Sequence, residues 1–417
     1  MTDRRKFLQD VAKGIVVVGA GSLVPGLVRA AGDARARDAR IVTAGLAEGT
    51  NEAAILDALP GKRPLIKRTF RPANYETPLE YFDQAYTPND AFFVRYHLGN
   101  VPEVSRAEWK LEIAAEAVER PVTLGFDDLT KGFEQVELAA LCMCSGNRRG
   151  LSDPHVAGVQ WAYGAMGNAR WKGVRLKDVL AKAGVKKDAL EVVLDGADTA
   201  ALTTTPDFVK SIPVWKALDE NTLLAWEMNG EPLPHWNGFP VRLVVPGWTA
   251  TYWTKQIASV RVVSQPFKGF WMATGYRIPK GKFALVDRFL SQETETNTPI
   301  TEMVVGSLVT NLRGGEKFRL GQRVEVRGIA WDGGYGMQGV DVSTDGGGSW
   351  RPAQLGKDLG KFSWRQWSHA FKPERNGVHT VLAKATNRIG GSQTFDLVFN
   401  PAGYHNNVVQ KLDVHVG

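Results

Sequence analysis

The sequence predicts an α+β protein in which a mixed α/β domain is followed by an all-β, immunoglobulin-like sandwich. Between Trp109 and Asp198, short apolar strands alternate with helical stretches, as in mixed domains. From about Pro299 onward, short strands of alternating polarity are separated by turns that contain glycine, which is typical of a β-sandwich. A chain of 417 residues is long enough for two or three domains with cores of their own.

The N-terminus has the pattern of an export signal. A twin-arginine pair, Arg4-Arg5, precedes a mildly apolar stretch from Gly14 to Val28, and Ala30 offers a small residue for cleavage. We therefore expect residues 1–31 to be a twin-arginine signal peptide, which implies a periplasmic protein. Twin-arginine export suits proteins that fold, often around a cofactor, before they cross the membrane.

Charge and composition divide the rest of the chain. The net charge of +7 is spread without a run of Lys or Arg, so nucleic-acid binding is excluded as a function class. Residues 32–62 are rich in Ala, Arg and Asp and predict a loosely ordered lead-in. The main domain is then expected to span 63–295 and the second domain 296–417.

A predicted strand at Phe92–His97 carries two groups that suit an anion. Residues two apart on a strand share a face, so Arg95 and His97 are expected to lie side by side. Such a pair could hold a phosphate or a substrate oxyanion. A solvent-exposed polar face of an edge strand is the alternative.

Both cysteines of the chain lie in the segment Leu141–Arg149, which ends in Cys144-Ser145-Gly146-Asn147-Arg148-Arg149. A thiolate is a soft metal ligand, and neighbouring guanidinium groups lower the thiol pKa and bind oxyanions. The segment therefore offers a metal anchor beside an anion clamp, although an inert buried Cys before a polar turn is the alternative. A disulfide between Cys142 and Cys144 would be strained. No C-x-x-C-H haem motif and no zinc spacing occur.

A glycine-rich segment follows the cysteines. Gly164–Gly167 is flanked by aromatic residues, among them Trp161, and reads either as an open approach with aromatic walls or as a packed corner of the core. Beyond it, Leu176–Ala183 predicts a short amphipathic helix that ends at Gly184. A buried strand over Glu191–Asp198 comes next.

One cation stands alone in an apolar run. Arg242 lies within Gly238–Gly247, and Lys255 follows nearby. An unpaired buried charge is costly, so Arg242 needs a partner. An anionic cofactor group is one candidate and a structural carboxylate is the other.

The C-terminal part has the alternation of a half-buried sheet. Apolar and polar residues alternate in Val324–Arg327 and Val340–Ser343, and Val378–Ala385 continues this β pattern. The pair Asp345-Gly346 is typical of a turn. A sandwich of roughly 100 residues fits this spacing. Such a module more often mediates association than catalysis.

With these motifs in view, the chain resembles the sulfite oxidase family of molybdenum enzymes over about residues 70–417. The matching blocks are Phe93–His97, Cys144–Arg149, Gly164–Trp171 and Gly238–Arg242, followed by Val342–Gly347 and Asn400–Tyr404. The resemblance implies a molybdopterin-binding domain of the sulfite oxidase type and a C-terminal dimerisation domain.

The resemblance also implies roles for single residues. Cys144 would be the protein's ligand to a molybdenum that molybdopterin also holds. The substrate pocket would be lined by Arg95, Arg149 and Trp161, with Tyr276 beside the metal. The cofactor would be held by Phe93, Arg95, His97, Cys144, Asp198, Arg242, Thr254 and Lys255. Animal members have a His five residues before the Arg242 counterpart, whereas here Asn237 stands there and His235 lies two residues earlier, so either residue is a candidate for that contact.

The implied reaction is the oxidation of sulfite to sulfate, with electrons passed to a c-type cytochrome because the chain has no haem motif of its own. A homodimer through the C-terminal domain is also implied. Three alternatives remain open on sequence grounds: a sulfane dehydrogenase or a sulfoxide reductase subunit on the same scaffold, and a non-catalytic exported module that binds anions.

Overall fold

The computed structural model describes residues 39–40, 54–283 and 289–417. The expected signal peptide lies outside these residues. No helix within the described ranges is both long enough and apolar enough to cross a membrane.

The described chain is built mainly of strands. The strands up to residue 300 are β1 (Ala39–Arg40), β2 (Ala54–Asp57), β3 (Leu65–Thr69), β4 (Asn74–Glu76), β5 (Val94–Arg95), β6 (Lys110–Ala114), β7 (Val122–Gly125), β8 (Gln135–Met143), β9 (Met166–Arg175), β10 (Glu191–Gly196), β11 (Lys210–Pro213), β12 (Leu223–Met228), β13 (Glu231–Pro232), β14 (Arg242–Val244), β15 (Ile257–Val263), β16 (Arg277–Pro279) and β17 (Asn297–Pro299). The later strands are β18 (Gly306–Val309), β19 (Lys317–Phe318), β20 (Val324–Trp331), β21 (Met337–Ser343), β22 (Arg351–Pro352), β23 (Gln354–Leu355), β24 (Arg365–Phe371), β25 (Gly377–Asn387) and β26 (Gln410–Val416). The α-helices in the same ranges are short: α1 (Phe126–Lys131), α2 (Leu176–Ala183), α3 (Val214–Ala217) and α4 (Phe270–Ala273).

Three larger sheets and a two-stranded sheet of β16 and β17 form the first part of the described chain. The strand orders of the larger sheets are β1-β2-β3-β4-β5, β11-β10-β15-β6-β7 and β13-β12-β9-β8, with β14 paired to β12. The β15–β6 pairing is parallel, whereas its neighbours in that sheet are antiparallel. One large apolar cluster joins the second and third sheets and includes Cys144 and Trp161.

Local sequence explains several of these elements. The helix α2 buries Leu176, Val179, Leu180 and Ala183 on one face and ends where Gly184 adopts a φ of 74°. The buried half of β8, Ala140–Met143, delivers the chain directly to Cys144. Both the helix and the strand over Glu191–Gly196 confirm the sequence predictions.

The second part is a sandwich of two sheets. Their strand orders are β18-β20-β24-β23 and β19-β26-β25-β21-β22. In β26 every second side chain is buried, and Leu412 and Val414 contribute to the apolar cluster between the sheets. The α+β class and the C-terminal sandwich are therefore confirmed, with helices forming only a small share of the described chain.

Two sequence expectations need correction. Part of the expected lead-in is ordered, because Leu56 in β2 pairs with Ile66 in β3. The strand that carries Arg95 is also much shorter than predicted: β5 covers Val94–Arg95 alone, and His97 lies in the bend that follows. The chain turns there to bring His97 against Phe208 and Tyr276.

The C-terminal part holds the segment that follows Cys144. Arg148 Nη2 donates to the Ser307 carbonyl at 2.6 Å, and Asn406 Nδ2 donates to the Arg148 carbonyl at 3.1 Å. Arg149 Nε donates to the Ala402 carbonyl at 2.7 Å. Both guanidinium groups of the Cys block are thus bound by the second part of the chain.

Candidate active site

A cavity of about 690 Å³, including its solvent-open part, lies at the ends of β5, β8 and β14. Its described lining is Phe92, Phe93, Arg95, His97, Cys142, Cys144, Ser145, Asp198, Phe208, Trp236, Asn237, Arg242, Ala250, Thr251, Trp253, Thr254, Lys255 and Tyr276. Ten residues in this set are ones that the resemblance assigned to the site: Phe93, Arg95, His97, Cys144, Asp198, Asn237, Arg242, Thr254, Lys255 and Tyr276.

Cys144 is fixed at the cavity wall by its backbone. Its N–H donates to the Ala165 carbonyl at 2.9 Å, and its carbonyl accepts from the Asn147 N–H at 3.0 Å. The turn closes at Arg148, which has a φ of 68°. The thiol is therefore presented by a tight turn rather than by a regular strand.

Cys142 has a different environment. The residue is 2% exposed, and its sulfur lies 3.9 Å from Arg242 Nη2. Burial raises the pKa of the Cys142 thiol to about 11, despite the nearby Arg242 cation. Cys142 is thus a protonated core thiol at neutral pH.

Arg95 is aligned by β4 and by its own backbone. Its guanidinium donates to Asn74 Oδ1 at 3.1 Å and to the carbonyl of Tyr96. The Arg95 carbonyl in turn accepts a 2.6 Å hydrogen bond from Lys255 Nζ. These contacts leave a cation at the cavity wall whose described partners are all neutral.

His97 and Tyr276 meet across the cavity. His97 Nε2 is hydrogen-bonded to the Tyr276 hydroxyl, and the His97 ring stacks on Phe208 with centroids 3.5 Å apart. Burial, followed by the charges of Arg95, Lys255 and Lys210, lowers the pKa of His97 well below its usual value. Burial raises the pKa of Tyr276, while Arg95 opposes that shift. A neutral imidazole and a protonated phenol therefore face the cavity at neutral pH.

A further cation of the cavity lining is Arg242. Arg242 is 3% exposed and lies between Trp171 and Trp253, with its Cζ atom 5.0 and 5.7 Å from their ring centroids. It donates to the carbonyls of Asn237 at 3.0 Å and Trp253 at 3.1 Å. No carboxylate in the described chain forms an ion pair with Arg242. Of the two partners that the sequence allowed for Arg242, the structural carboxylate is therefore not found among the described residues.

The two remaining residues assigned to the substrate pocket lie behind its wall. Arg149 donates to the carbonyls of Ala402 and Val159, and its Cζ lies 5.3 Å from the Tyr404 ring centroid. Trp161 is fully buried in the same apolar cluster as Cys144, and its Nε1 has no hydrogen-bond partner within the described part of the chain. Neither side chain is among the cavity lining.

The glycine-rich segment is a packed corner of the core. A Cβ on Gly164 would lie 2.2 Å from the Thr77 carbonyl oxygen, and one on Gly167 would lie 2.5 Å from the Phe92 ring. Glu76 accepts from the N–H groups of Ala162 and Gly164 at 2.6 and 3.0 Å. The reading of this segment as an open approach is therefore wrong.

Comparison with known proteins agrees with this geometry. Residues 98–271 match the family model of the oxidoreductase molybdopterin binding domain, and 297–417 match that of the Mo-co oxidoreductase dimerisation domain. Mitochondrial sulfite oxidase of Homo sapiens is 36% identical over 373 residues, which cover 86% of this chain and 67% of the human protein. The chain belongs to the sulfite oxidase family of molybdenum enzymes.

Two further comparisons show how much of a relative's length this chain matches and which solved structure shares its fold. Mitochondrial sulfite oxidase of Macaca fascicularis is 36% identical over 321 residues, so the match spans only 57% of that protein's length. The crystal structure of the sulfane dehydrogenase SoxCD of Paracoccus pantotrophus matches with a TM-score of 0.70 at 22% identity, covering 96% of this chain and 92% of that one. That likeness confirms the fold of a sulfite oxidase family member.

The cofactor of the family is molybdenum held by molybdopterin, and the cavity fits such an anionic group. Arg242 is a buried cation without a described carboxylate partner, and the buried Thr251 and Thr254 hydroxyls have no hydrogen-bond partner among the residues that the structure describes. An anionic group with several oxygens would satisfy all three. Cys144 supplies a soft thiolate donor at the same cavity.

The Asn237 position differs from that of animal family members, and the structure shows what it does. Asn237 is 3% exposed at the cavity wall, where its Oδ1 accepts from Lys62 Nζ and its Nδ2 donates to the Phe93 carbonyl at 3.1 Å. His235 is absent from the cavity lining and packs its ring on Trp236, with centroids 5.3 Å apart. Of the two candidates, Asn237 alone reaches the cavity.

Sequence reasoning missed several residues that shape the site. Phe208 and Trp236 line the cavity, Lys62 holds Asn237, and Tyr404 stacks on Tyr276 from the C-terminal part. Lys210 is 1% exposed and lies 5.1 Å from the Tyr276 ring centroid. A lone cation in an apolar strand was the signal that marked Arg242, and it would also have marked Lys210 in β11. Phe208, Trp236 and Lys62 carry no local sequence signal, whereas Tyr404 ends the matching block Asn400–Tyr404 but was given no role in the site.

Proposed function

We propose that this chain is an exported sulfite dehydrogenase, which oxidises sulfite to sulfate and passes the electrons to a c-type cytochrome. The observation that carries the proposal is that Arg95, Tyr276 and Cys144 line one cavity. A fixed cation, a hydrogen-bond donor and a soft metal ligand are the groups that a small oxyanion and a molybdenum centre require. The sulfite oxidases among the relatives support the same substrate.

The residues of this chain would act mainly through charge and position. Cys144 would hold the molybdenum, with Arg242, Thr251, Thr254 and Lys255 toward the pterin. Arg95 would attract sulfite and stabilise both the bound anion and the transition state, so it affects binding and turnover together. The Tyr276 hydroxyl, oriented by neutral His97, would hydrogen-bond to an oxygen near the metal.

When bound, the molybdenum–molybdopterin group supplies the oxygen-atom transfer and accepts two electrons. The balanced reaction takes sulfite and water to sulfate, two protons and two electrons. A cytochrome haem accepts one electron at a time, so two encounters would complete each turnover. The docking contact should be small and partly electrostatic, because the partner must leave after each electron.

The first experiment measures molybdenum in the purified protein together with sulfite-dependent reduction of ferricyanide. We expect about one molybdenum per chain and turnover with sulfite. A purified protein without molybdenum or turnover, although made in a host that synthesises the cofactor, would instead support a non-catalytic anion-binding module. Faster turnover with a sulfane-sulfur substrate than with sulfite would replace the proposed substrate.

The electron acceptor is tested with the same preparation. Added cytochrome c should be reduced at a rate that falls as salt increases, since salt screens the docking charges. Rapid production of hydrogen peroxide in air without cytochrome reduction would show an oxidase.

Export and assembly need separate measurements. Replacing Arg4 and Arg5 together with Lys should leave the folded protein inside the cell, whereas the unaltered chain should be recovered from the periplasmic fraction. Equal periplasmic recovery of both forms would contradict twin-arginine export.

The dimerisation domain supports a homodimer, and light scattering of the purified protein should give twice the mass of one chain.

A further inference from the structure

Tyr404 of the C-terminal part stacks on Tyr276 of the cavity wall. Their ring centroids are 5.5 Å apart and their planes differ by 8°. Tyr276 lines the cavity, whereas Tyr404 is not among the lining residues and is 8% exposed. Tyr404 therefore forms a second layer behind Tyr276.

The loop that carries Tyr404 is held in one conformation. Asn400 Oδ1 accepts from the Tyr404 N–H at 3.0 Å, and Asn400 Nδ2 donates to the Tyr404 carbonyl at 2.8 Å. Gly403 has a φ of 61°, and a Cβ there would lie 2.5 Å from Val156 Cγ2 and 2.8 Å from Arg149 Cγ. The loop thus has little room to shift relative to the Cys block.

Arg149 adds a second contact to the same ring. Its Cζ lies 5.3 Å from the Tyr404 ring centroid, and its Nε donates to the Ala402 carbonyl at 2.7 Å. The guanidinium is therefore bound both by the ring and by the backbone of the loop. Through Tyr404, the segment after Cys144 is joined to Tyr276.

Tyr276 needs such support. It has a φ of 59°, a backbone conformation that is uncommon for a bulky side chain. Its hydroxyl is directed to His97 Nε2, and a shift of the ring would break that contact. Lys210 packs against the Tyr276 ring as well, but a cation at 5.1 Å does not fix the ring plane as a parallel stack does.

We propose that Tyr404 is a positioning residue, whose stacking fixes the Tyr276 hydroxyl in the cavity for its contact with the oxyanion substrate. The choice of sulfite as that oxyanion rests on the proposed function. The inference adds a role for the C-terminal part in shaping the site, beyond association.

A double-mutant cycle tests this proposal. Tyr404→Leu should lower kcat/KM for sulfite by roughly 5- to 10-fold, the size of a lost aromatic pair. In a Tyr276→Phe background the same change should have an effect of less than about twofold, because the hydroxyl that it positions is gone. Tyr404→Phe keeps the ring and should stay within about twofold of wild type.

Binding provides a readout that is independent of turnover. Titration calorimetry of the resting enzyme with sulfate should show weaker binding in Tyr404→Leu and near wild-type binding in Tyr404→Phe. Tyr163→Leu is the matched control, because Tyr163 is equally buried and lies under Arg148, with the Cζ atom 5.3 Å from its ring centroid. It should lower the melting temperature comparably yet leave kcat/KM and sulfate affinity unchanged.

Three results would overturn the inference: unchanged kcat/KM and sulfate affinity in Tyr404→Leu, fully additive effects in the cycle, or an equal loss in Tyr163→Leu. If the wild-type enzyme does not oxidise sulfite, the proposed function fails, and the cycle is then read on sulfate affinity alone.

Discussion

The Lys255 ammonium donates a 2.6 Å hydrogen bond to the Arg95 carbonyl and lies 3.5 Å from the Tyr96 ring centroid. This contact joins the strand that carries Arg95 to the segment that would hold the cofactor. Burial lowers the pKa of Lys255 to about 7, although the Asp198 carboxylate opposes the shift. In the cofactor-free site, the Lys255 side chain is therefore close to half protonated at neutral pH.

That pKa predicts a pH dependence of stability. Between pH 7 and 10.5 the unfolded chain holds a proton on Lys255 that the folded, cofactor-free chain does not, so raising the pH in this window favours the folded state. The melting temperature of cofactor-free wild type should therefore rise between pH 7 and pH 9 relative to that of Lys255→Met. A constant difference between the two proteins across this range would contradict the prediction. Bound cofactor should reduce the effect, because its anionic groups favour the ammonium.

The two cysteines should respond differently to substitution. Cys144→Ser should abolish turnover and lower the molybdenum content while the melting temperature stays close to that of wild type, since the turn at Cys144 is held by backbone hydrogen bonds. Cys142→Ser should keep both the metal and most of the activity, because Cys142 is a protonated core thiol beside Arg242. Activity of Cys144→Ser within a few fold of wild type would refute its assignment as metal ligand.

Substitutions of Arg95 and Arg149 should have different effects on kinetics and stability. Arg95→Met should raise the KM for sulfite and lower kcat, because Arg95 lines the cavity. Arg149→Met should reduce the melting temperature as well as activity, because it frees the carbonyls of Ala402 and Val159. Steady-state kinetics and thermal unfolding of both variants check this difference. A larger rise of KM in Arg149→Met than in Arg95→Met, without loss of stability, would place Arg149 in the pocket.

Removal of the Tyr276 hydroxyl tests whether that group takes part in the reaction. Tyr276→Phe should cost one hydrogen bond of ~1–3 kcal/mol in kcat/KM, since the hydroxyl is bonded to His97 and faces the cavity. The melting temperature should change little because the ring and its stack are kept. Wild-type kinetics in this variant would show that the hydroxyl has no part in the reaction.

Glu76 should matter for stability rather than for chemistry. It is 1% exposed and accepts from the N–H groups of Ala162 and Gly164 and from Arg68 Nε at 2.6 Å. Glu76→Gln replaces an acceptor oxygen with a donor, so we expect a loss of ~1–3 kcal/mol in the free energy of unfolding. Asp127→Asn, in an exposed ion pair with Lys131, should cost less than about 0.5 kcal/mol and serves as the control in urea unfolding. Equal losses in the two variants would contradict the role of Glu76.

Local chemistry in the sequence was sufficient for several parts of this protein. The β8 run into Cys144, the helix that ends at Gly184 and the alternating strands of the C-terminal sandwich follow from side-chain periodicity and turn residues, which act over a few positions. The Cys block and the isolated Arg242 were marked by residue type alone, since a thiol beside guanidiniums and a cation among apolar residues both need a partner.

Only the tertiary structure decided how the cavity is assembled. His97 and Tyr276 are 179 positions apart, and Lys62 and Asn237 are 175 apart, so no local pattern relates them. The same holds for Arg149, which the family resemblance assigned to the pocket lining, whereas its guanidinium contacts Ala402 and Tyr404 and is not part of that lining. The physical reason is that a periodic pattern determines which face of a strand is buried, whereas the neighbour on that face depends on how the sheets and the two parts of the chain pack together.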